Sequence, residues 1–347
     1  MGSQRRILIL AEGYLADPHH GKTTRGVLHY GSDPIAAIVD STFPDSSYEG
    51  ISVVSSVADA ILHQPTVALI GVAPTGGRLP PSLRADVVAS IKAGLDVEAG
   101  LHEFLADDDE LVALAAQHDS ELRDLRRPPS GLGVPTGANL EHDASVILTV
   151  GSDCAIGKMT VSLELHREAE RRGERSVFVP SGQTGIAIAG WGVSVDAVVA
   201  DYIAGAAERI VTEGAARGDL LWVEGQGSLI HHMYSGVTLG LFHGSMPHLL
   251  VLCHKAGMSH LEGHPRYAIP PLSTLIALHE RAALPARPAR VVAVALNTSL
   301  LPEDEARSAV RRATDETGMV ADDPVRFGSE RIVRVCLEAR DELQGTA

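Results

Sequence analysis

The stretch of sequence that decides the fold spans residues 151–160 and reads GSDCAIGKMT. It follows an apolar run at residues 146–150, which predicts a buried strand, and it leads into a segment that predicts a helix. A glycine-bounded loop with Gly-Lys between a strand and a helix is typical of a phosphate-binding P-loop. The glycines let backbone N–H groups point inward, and the helix N-terminus adds partial positive charge. The sequence therefore predicts that this loop binds phosphate.

The predicted contacts to phosphate come from the loop and from the first turn of the helix. Lys158 is expected to reach the terminal phosphates. The usual motif has Ser or Thr directly after the Lys, but Met159 stands there. Three arrangements stay open: Thr160 holds Mg²⁺ from one position later, Ser152 or Asp153 assists, or the metal is bound differently. The predicted phosphate-binding residues are Gly151, Ser152, Asp153, Gly157, Lys158, Met159 and Thr160.

Composition and charge narrow the class of protein. The chain has 347 residues, enough for two domains, and 45% of them are apolar, so each domain is expected to have a packed core. The formal net charge of −15 argues against binding to nucleic acid or to an anionic membrane. Three scattered cysteines do not form a disulfide framework, and no apolar run approaches the roughly 20 residues that span a bilayer. The apolar run at residues 7–11 is too short for a signal-peptide core, so we expect a cytoplasmic enzyme.

The order of elements predicts an α/β protein with two domains. A Pro- and Gly-rich stretch predicts a linker at residues 128–143, between a Rossmann-like domain at 1–127 and a P-loop domain at 144–347. Short apolar runs alternate with helical segments in the first domain, which favours a parallel sheet covered on both faces. Gly-Lys-Thr at residues 21–23 lacks the earlier Gly of a P-loop and predicts a helix start, with phosphate binding as the alternative.

The second half carries further candidate residues at the ends of predicted strands. Glu224 ends an apolar strand and precedes a Gly-rich turn, and a carboxylate at this position holds magnesium or its water in P-loop enzymes. Thr160 and Glu224 are therefore the predicted metal ligands. Asn297 follows a late strand and is predicted to contact a nucleobase, while Asp196 is predicted to cap a helix at residues 197–207. The predicted pocket residues are Ser181, Gln183, Thr184, Gln226, Ser228 and Tyr234.

Histidines just beyond strand ends are candidates for acid–base chemistry. His232 lies in the polar stretch after the Glu224 turn, and His254 lies at the end of another apolar strand. An imidazole in such a place can act as a general base or orient a substrate. Glu224, His232 and His254 are the predicted catalytic residues.

Several of these segments together carry a resemblance to known families. Gly-Ser-Asp with Gly-Lys and a Glu-Gly-x-Gly strand end resembles dethiobiotin synthetase and its relatives, in which a P-loop ATPase activates a carboxylate. A closer resemblance covers nearly the whole chain. It is to the D-glutamate N-acetyltransferase family, long catalogued as a domain of unknown function, and it rests on residues 151–160, 181–185, 196–201, 224–228 and 234–240.

This closer resemblance implies both an architecture and an activity. The family has a Rossmann-like N-terminal domain and a P-loop C-terminal domain, and Gly-Lys-Met-Thr is its own form of the loop. It implies N-acylation of a small amino acid with an acyl-CoA donor, with the P-loop holding a diphosphate.

Three functions stay open on the sequence. In an acyl-CoA-dependent transferase, Lys158 would hold the CoA phosphates and a histidine would deprotonate the substrate amine. In an ATP-dependent ligase or kinase, Lys158, Thr160 and Glu224 would position Mg-ATP. The third function is a non-catalytic nucleotide-sensing switch, against which the histidine-rich loops argue.

Apolar residues in loop-like, Gly-rich segments predict self-association. Exposed apolar side chains of this kind commonly mark interfaces. The residues concerned are Trp191, Met233, Tyr234 and Phe242. We therefore expect a homo-oligomer.

Overall fold

The computed structural model describes residues 5–17, 20–43 and 45–345, which divide into two compact units. The first unit comprises Met1–Pro128 and Gln183–Ala197, and the second comprises Pro129–Gly182 and Val198–Ala347. The short segment Gln183–Ala197 thus groups with the first unit, although the sequence predicts residues 144–347 as one domain.

The first unit is built on a seven-stranded sheet with strand order β3-β4-β2-β1-β5-β6-β7. All neighbouring strands are parallel except β3 and β4. Without β3, this is the strand order of the doubly wound Rossmann sheet, which confirms the predicted architecture. The strands are β1 (Ile7–Leu10), β2 (Ile35–Val39), β3 (Ser47–Tyr48), β4 (Ile51–Val54), β5 (Val67–Ile70), β6 (Asp96–Ala99) and β7 (Leu122–Asp124).

The second unit contains a six-stranded parallel sheet with strand order β15-β14-β11-β8-β10-β9 and a separate antiparallel pair, β12 and β13. Its central strand is buried along its whole length, as expected for a parallel sheet covered on both faces. The strands are β8 (Ser145–Gly151), β9 (Ser176–Val179), β10 (Leu220–Val223), β11 (Leu249–Lys255), β12 (His260–Leu261), β13 (His264–Ala268), β14 (Arg290–Asn297) and β15 (Val320–Asp322).

Helices connect the strands of both sheets. None of those in the described residues is long and apolar enough to cross a membrane. The helices are α1 (Lys22–Tyr30), α2 (Val57–Ala60), α3 (Pro81–Lys92), α4 (Asp109–His118), α5 (Lys158–Arg171), α6 (Gln183–Ala189), α7 (Ile203–Ala215), α8 (Ser235–Ser245), α9 (Leu272–Ala282), α10 (Glu303–Thr317) and α11 (Glu330–Gly345).

The helix predicted at residues 197–207 is placed wrongly. α7 begins only at Ile203, and the chain before it forms two short 3₁₀ turns, Val195–Ala197 and Ala200–Tyr202. Asp196 does not cap a helix, because its carboxylate accepts a hydrogen bond from Ser194 Oγ and pairs with Arg126 at 2.8 Å. The carboxylate of Asp196, which the local sequence predicted as a helix cap, therefore forms a long-range ion pair with Arg126.

Strand register brings the candidate residues of the second unit to one edge of its sheet. Gly151 at the end of β8 pairs with Cys253 in β11, directly before His254. Lys255 at the end of β11 pairs with Asn297 at the end of β14. Because all six strands are parallel, their carboxyl ends lie along this edge, where α/β sheets commonly bind ligands.

Candidate functional site

The predicted phosphate-binding loop connects β8 to α5. Gly157 precedes the helix with a φ of 109°, a left-handed conformation that favours glycine. Lys158 begins the helix and is only 6% exposed, and its Nζ donates a hydrogen bond to the main-chain oxygen of Asp153 at 2.7 Å. Burial lowers the pKa of Lys158, while nearby thiols and carboxylates oppose that shift. A phosphate would supply the counter-charge that a buried ammonium requires.

The carboxylate of Asp153 holds the loop in place. Oδ1 accepts a hydrogen bond from the N–H of Cys154 at 2.7 Å, and Oδ2 accepts one from the N–H of Glu262 at 2.7 Å. Glu262 lies in the turn between β12 and β13, so Asp153 fastens that hairpin to the phosphate-binding loop. The predicted contact between Asp153 and phosphate stays a prediction.

Glu224 is brought together with two predicted pocket residues. Its Oε2 accepts hydrogen bonds from the N–H groups of Ser181 at 2.9 Å and Gly182 at 3.1 Å. Ser181 Oγ donates to the main-chain oxygen of Glu224, and Gln226 Nε2 lies 3.4 Å from Oε1. Glu224 is 5% exposed, so these bonds supply partners that a buried carboxylate needs. Metal binding by Glu224 stays a prediction.

The turn after Glu224 requires glycine for a steric reason. We expect Gly225→Ala to lower the free energy of unfolding by about 3 kcal/mol through overpacking. A Cβ at position 225 would lie 1.8 Å from the main-chain oxygen of Thr149 in β8, and that atom cannot move without distorting the central strand. Denaturant unfolding followed by circular dichroism measures the loss. Gly236→Ala is the matched control, since nothing lies within 4 Å of a Cβ there, and equal stability of the two variants would disprove the steric argument.

A cavity of about 480 Å³ opens beside the phosphate-binding loop. Asn297 lines it, donating from Nδ2 to the main-chain oxygen of Ile156 at 3.1 Å and accepting at Oδ1 from the N–H of Ser299 at 3.1 Å. Thr160 also faces this cavity from the first turn of α5. The walls consist of Ile156, Gly157, Thr160, Val161, Leu296, Asn297, Ser299, Asp323, Pro324, Val325 and Arg326. Base binding by Asn297 and metal binding by Thr160 stay predictions, now with a cavity beside both side chains.

His254 lies next to the phosphate-binding loop. Its Nδ1 is 2.9 Å from Ser152 Oγ, and Ser152 directly follows β8. Burial lowers the pKa of His254, with the negative charge of Glu316 opposing the shift, so the imidazole is neutral at pH 7. When Nδ1 donates to Ser152, Nε2 presents a lone pair that can accept a proton.

His232 belongs to a cluster of histidine and tyrosine rings, and its side chain is exposed to solvent. It stacks on Tyr267 with the ring centroids 4.2 Å apart, and the ring of His264 lies 4.7 Å away. His231, which the sequence did not single out, is 3% exposed and its ring lies 5.2 Å from that of His232. Tyr234 packs at 4.8 Å from His231 and remains 45% exposed.

One group of possible metal ligands occurs within the described ranges. Asp153, Cys154 and His231 each offer an atom, and these atoms lie within 4.8 Å of one another. His231 Nδ1 accepts a hydrogen bond from the N–H of Met233 at 3.2 Å, which places the ring proton on Nε2, the nitrogen 3.8 Å from Asp153. A metal would need that nitrogen deprotonated, so this tautomer favours an electrostatic contact with Asp153.

Gln183 and Thr184 group with the first unit, whereas the other predicted pocket residues group with the second. Gln183 Oε1 accepts a hydrogen bond from Arg126 Nη1 at 3.1 Å, and Thr184 Oγ1 lies 2.9 Å from Thr23 Oγ1. Ser228 belongs to the second unit and is fully buried.

The apolar residues expected at an interface differ in exposure. Met233 is 52% exposed and Tyr234 is 45% exposed, as an interface requires. Phe242 is 2% exposed, because it is one of the buried residues of helix α8 and does not lie in a loop. Its assignment to an exposed patch was therefore wrong.

Two family models match the chain, one in each half. A domain of unknown function described as the DUF1611 Rossmann-like domain matches residues 39–128, and the DUF1611 P-loop domain matches residues 133–333. A solved structure of a DUF1611 family protein from Anabaena variabilis is 39% identical with a TM-score of 0.90, over 96% of this chain and 99% of that chain.

Two curated relatives carry the name D-glutamate N-acetyltransferase. The protein from Tritonibacter scottomollicae is 37% identical over 271 residues, covering 76% of this chain and 79% of the relative. The protein from Pseudoalteromonas sp is 35% identical over 281 residues, covering 80% of this chain and 83% of the relative. These relatives confirm the predicted transferase class. The fold, the two matched domains and the relatives together establish that this chain belongs to the DUF1611 family.

Proposed function

We propose that this chain transfers an acyl group, foremost acetyl, from an acyl-CoA to the amine of a small acidic amino acid. The names of the two curated relatives support both the reaction and the substrate class. The observation that carries the proposal for this chain is the cavity of about 480 Å³ at the N-terminus of α5, lined by Gly157 and Thr160, which flank the buried cation Lys158 in the sequence.

CoA suits this part of the second unit because it contains an adenosine diphosphate. Lys158 and the N-terminus of α5 offer positive charge to the diphosphate. The adjacent cavity, which Asn297 lines, is large enough for part of the nucleoside. ATP shares these chemical groups, so the cavity alone supports either ligand.

The chemistry also needs a base, and His254 is suited to that role. An amino-acid amine carries a proton at neutral pH and cannot attack until it loses it. His254 Nε2 takes this proton, with Ser152 holding the other ring nitrogen. The neutral amine then attacks the thioester carbon, and the C–S bond breaks with its electron pair leaving on the CoA sulfur. The second proton, which the nitrogen loses as the amide forms, goes to that sulfur, and the proton on His254 is released to solvent.

The role of Glu224, and with it the need for Mg²⁺, differs between the acyl-transfer reaction and an ATP-dependent reaction. In the proposed reaction Glu224 holds the Ser181–Gly182 amides and needs no metal. Turnover in EDTA should therefore equal turnover with Mg²⁺. In an ATP-dependent ligase or kinase, removal of Mg²⁺ would abolish turnover.

The test measures binding and turnover of the full chain. Calorimetry gives the affinity for acetyl-CoA and for ATP, each with and without Mg²⁺, and release of free CoA is followed with D-glutamate, L-glutamate and D-alanine. The proposal expects acetyl-CoA binding, and CoA release that depends on an acidic amino acid and persists in EDTA. Failure of acetyl-CoA to bind would reject it, and Mg²⁺-dependent formation of ADP would establish the ligase or kinase. ATP binding without turnover would indicate a nucleotide-sensing switch.

A further inference from the structure

Arg126 in the first unit is a buried cation with part of its hydrogen-bonding capacity unused. It follows β7 by two residues and is 4% exposed. Its Nη1 donates to Gln183 Oε1 at 3.1 Å and to Asp196 Oδ2 at 2.8 Å. Within the described ranges, Nε is fully buried without any partner, and Nη2 forms no hydrogen bond either.

The unused atoms form one edge of the guanidinium group. Nε and Nη2 can donate two parallel hydrogen bonds to the two oxygens of a carboxylate or phosphate. Burying an N–H group without an acceptor costs free energy, and an oxyanion bound on this edge would remove that cost. Nη2 is not among the fully buried unpaired atoms, so this end of the edge keeps contact with solvent.

The surroundings of Arg126 are suited to an anion. Burial lowers the pKa of His102, and the positive charges of Arg126 and Lys22 lower it further, against the opposing effect of Asp196. Two cations and one carboxylate therefore act on this imidazole. The carboxylate of Asp196 is shared between two donors, because it accepts hydrogen bonds from both Arg126 Nη1 and Ser194 Oγ.

These groups come from the carboxyl ends of the strands. Lys22 begins α1, the helix after β1, and no side chain caps that helix N-terminus. The order of the sheet reverses between β1 and β5, which is where doubly wound sheets bind ligands. His102 follows β6 and lies against Gly77, where an added Cβ would be 2.3 Å from the imidazole ring. The glycine thus lets the ring lie close to the backbone beyond β5.

We propose that Arg126, with Lys22 and His102 beside it, forms an oxyanion-binding site in the first unit that takes a carboxylate or phosphate group of a small molecule on its Nε–Nη2 edge. Two kinds of molecule carry such a group: an acidic amino acid and a phosphorylated compound such as CoA. The site requires no acyl transfer, so it stands independently of the proposed function.

The experiment compares four versions of the full chain: wild type, Arg126→Met, Arg126→Lys and Arg127→Met. Calorimetry measures the binding of D-glutamate, inorganic phosphate and acetyl-CoA to each. Arg126→Met should weaken at least one of these ligands by about tenfold or more, the value of a lost pair of charge-assisted hydrogen bonds. Arg127→Met is the matched control, because the neighbouring Arg127 is an exposed cation whose loss should change nothing.

The ligand affected identifies the source of the anion. Weaker binding of D-glutamate alone assigns a carboxylate to the site, and weaker binding of phosphate or acetyl-CoA assigns a phosphate. Arg126→Lys keeps the charge but loses the two-pronged edge, so it should also weaken binding, and it decides the matter if Arg126→Met does not fold. The proposal is overturned if folded Arg126 variants bind all three ligands like wild type, or if wild type binds none of them.

Discussion

Lys158→Met is expected to lower kcat/KM for the acyl donor by about 10²–10³-fold, which is the usual effect of removing one preorganised hydrogen-bond donor from an active site. Lys158 is the buried cation at the start of α5, and a methionine of similar length cannot pair with a phosphate. Calorimetry with acetyl-CoA should show the loss directly. Lys92→Met, at the exposed end of α3, is the control.

The same substitution should leave the fold intact or stabilise it. Burial lowers the pKa of Lys158, so the folded chain binds this proton less tightly than the unfolded chain does. The buried lysine therefore opposes folding in full below its folded-state pKa, and this opposition declines as the pH rises from that value to the higher pKa that lysine has in the unfolded chain. Thermal unfolding at pH 7 should show a Tm equal to or above that of wild type. Unchanged affinity for acetyl-CoA and ATP in such a stable variant would place the phosphate ligand outside this loop.

His254→Gln is expected to lower kcat by about 10²–10⁴-fold while sparing the affinity for acetyl-CoA, since a general base contributes to chemistry and not to donor binding. The pH profile of wild type should confirm the protonation state. The base acts when neutral, and burial lowers the pKa of His254, so kcat should fall only below pH 6.5.

Steady-state kinetics between pH 5 and pH 8 measure both effects. His118→Gln, an exposed histidine at the end of α4, serves as the control. An acid limb at or above pH 6.5, or a His254→Gln variant with wild-type kcat, would exclude His254 as the base.

Local sequence predicted the parts of the fold whose signals are local. The apolar run before His254 predicted a strand, and β11 (Leu249–Lys255) covers that run and ends one residue after the histidine. The helix at Lys22–Tyr30 begins at the Gly-Lys-Thr that predicted it. The loop before Lys158 was recognisable because its strand, glycines and helix follow one another without interruption.

The features that sequence missed depend on distant contacts. Asp196 has the residue type and position of a helix cap, and only its pairing with Arg126, 70 residues away, shows another role. His231 differs from His232 by its burial beside Asp153, which no neighbouring residue indicates. Arg126 offered one weak signal, its place just after a short strand, but its burial follows from segments far along the chain.

The chain leaves the first unit at residue 128 and contributes Gln183–Ala197 to it again after part of the second unit, and this order affects folding during synthesis. Ile186 and Ala187 belong to the hydrophobic core of the first unit, although they are synthesised after more than fifty residues of the second. On a ribosome the N-terminal residues emerge first, so the first unit cannot complete its hydrophobic core until Ile186 and Ala187 have emerged. Until then, the newly made first unit exposes part of its apolar core to solvent. Arg126 also lacks its ion pair until Asp196 has been synthesised.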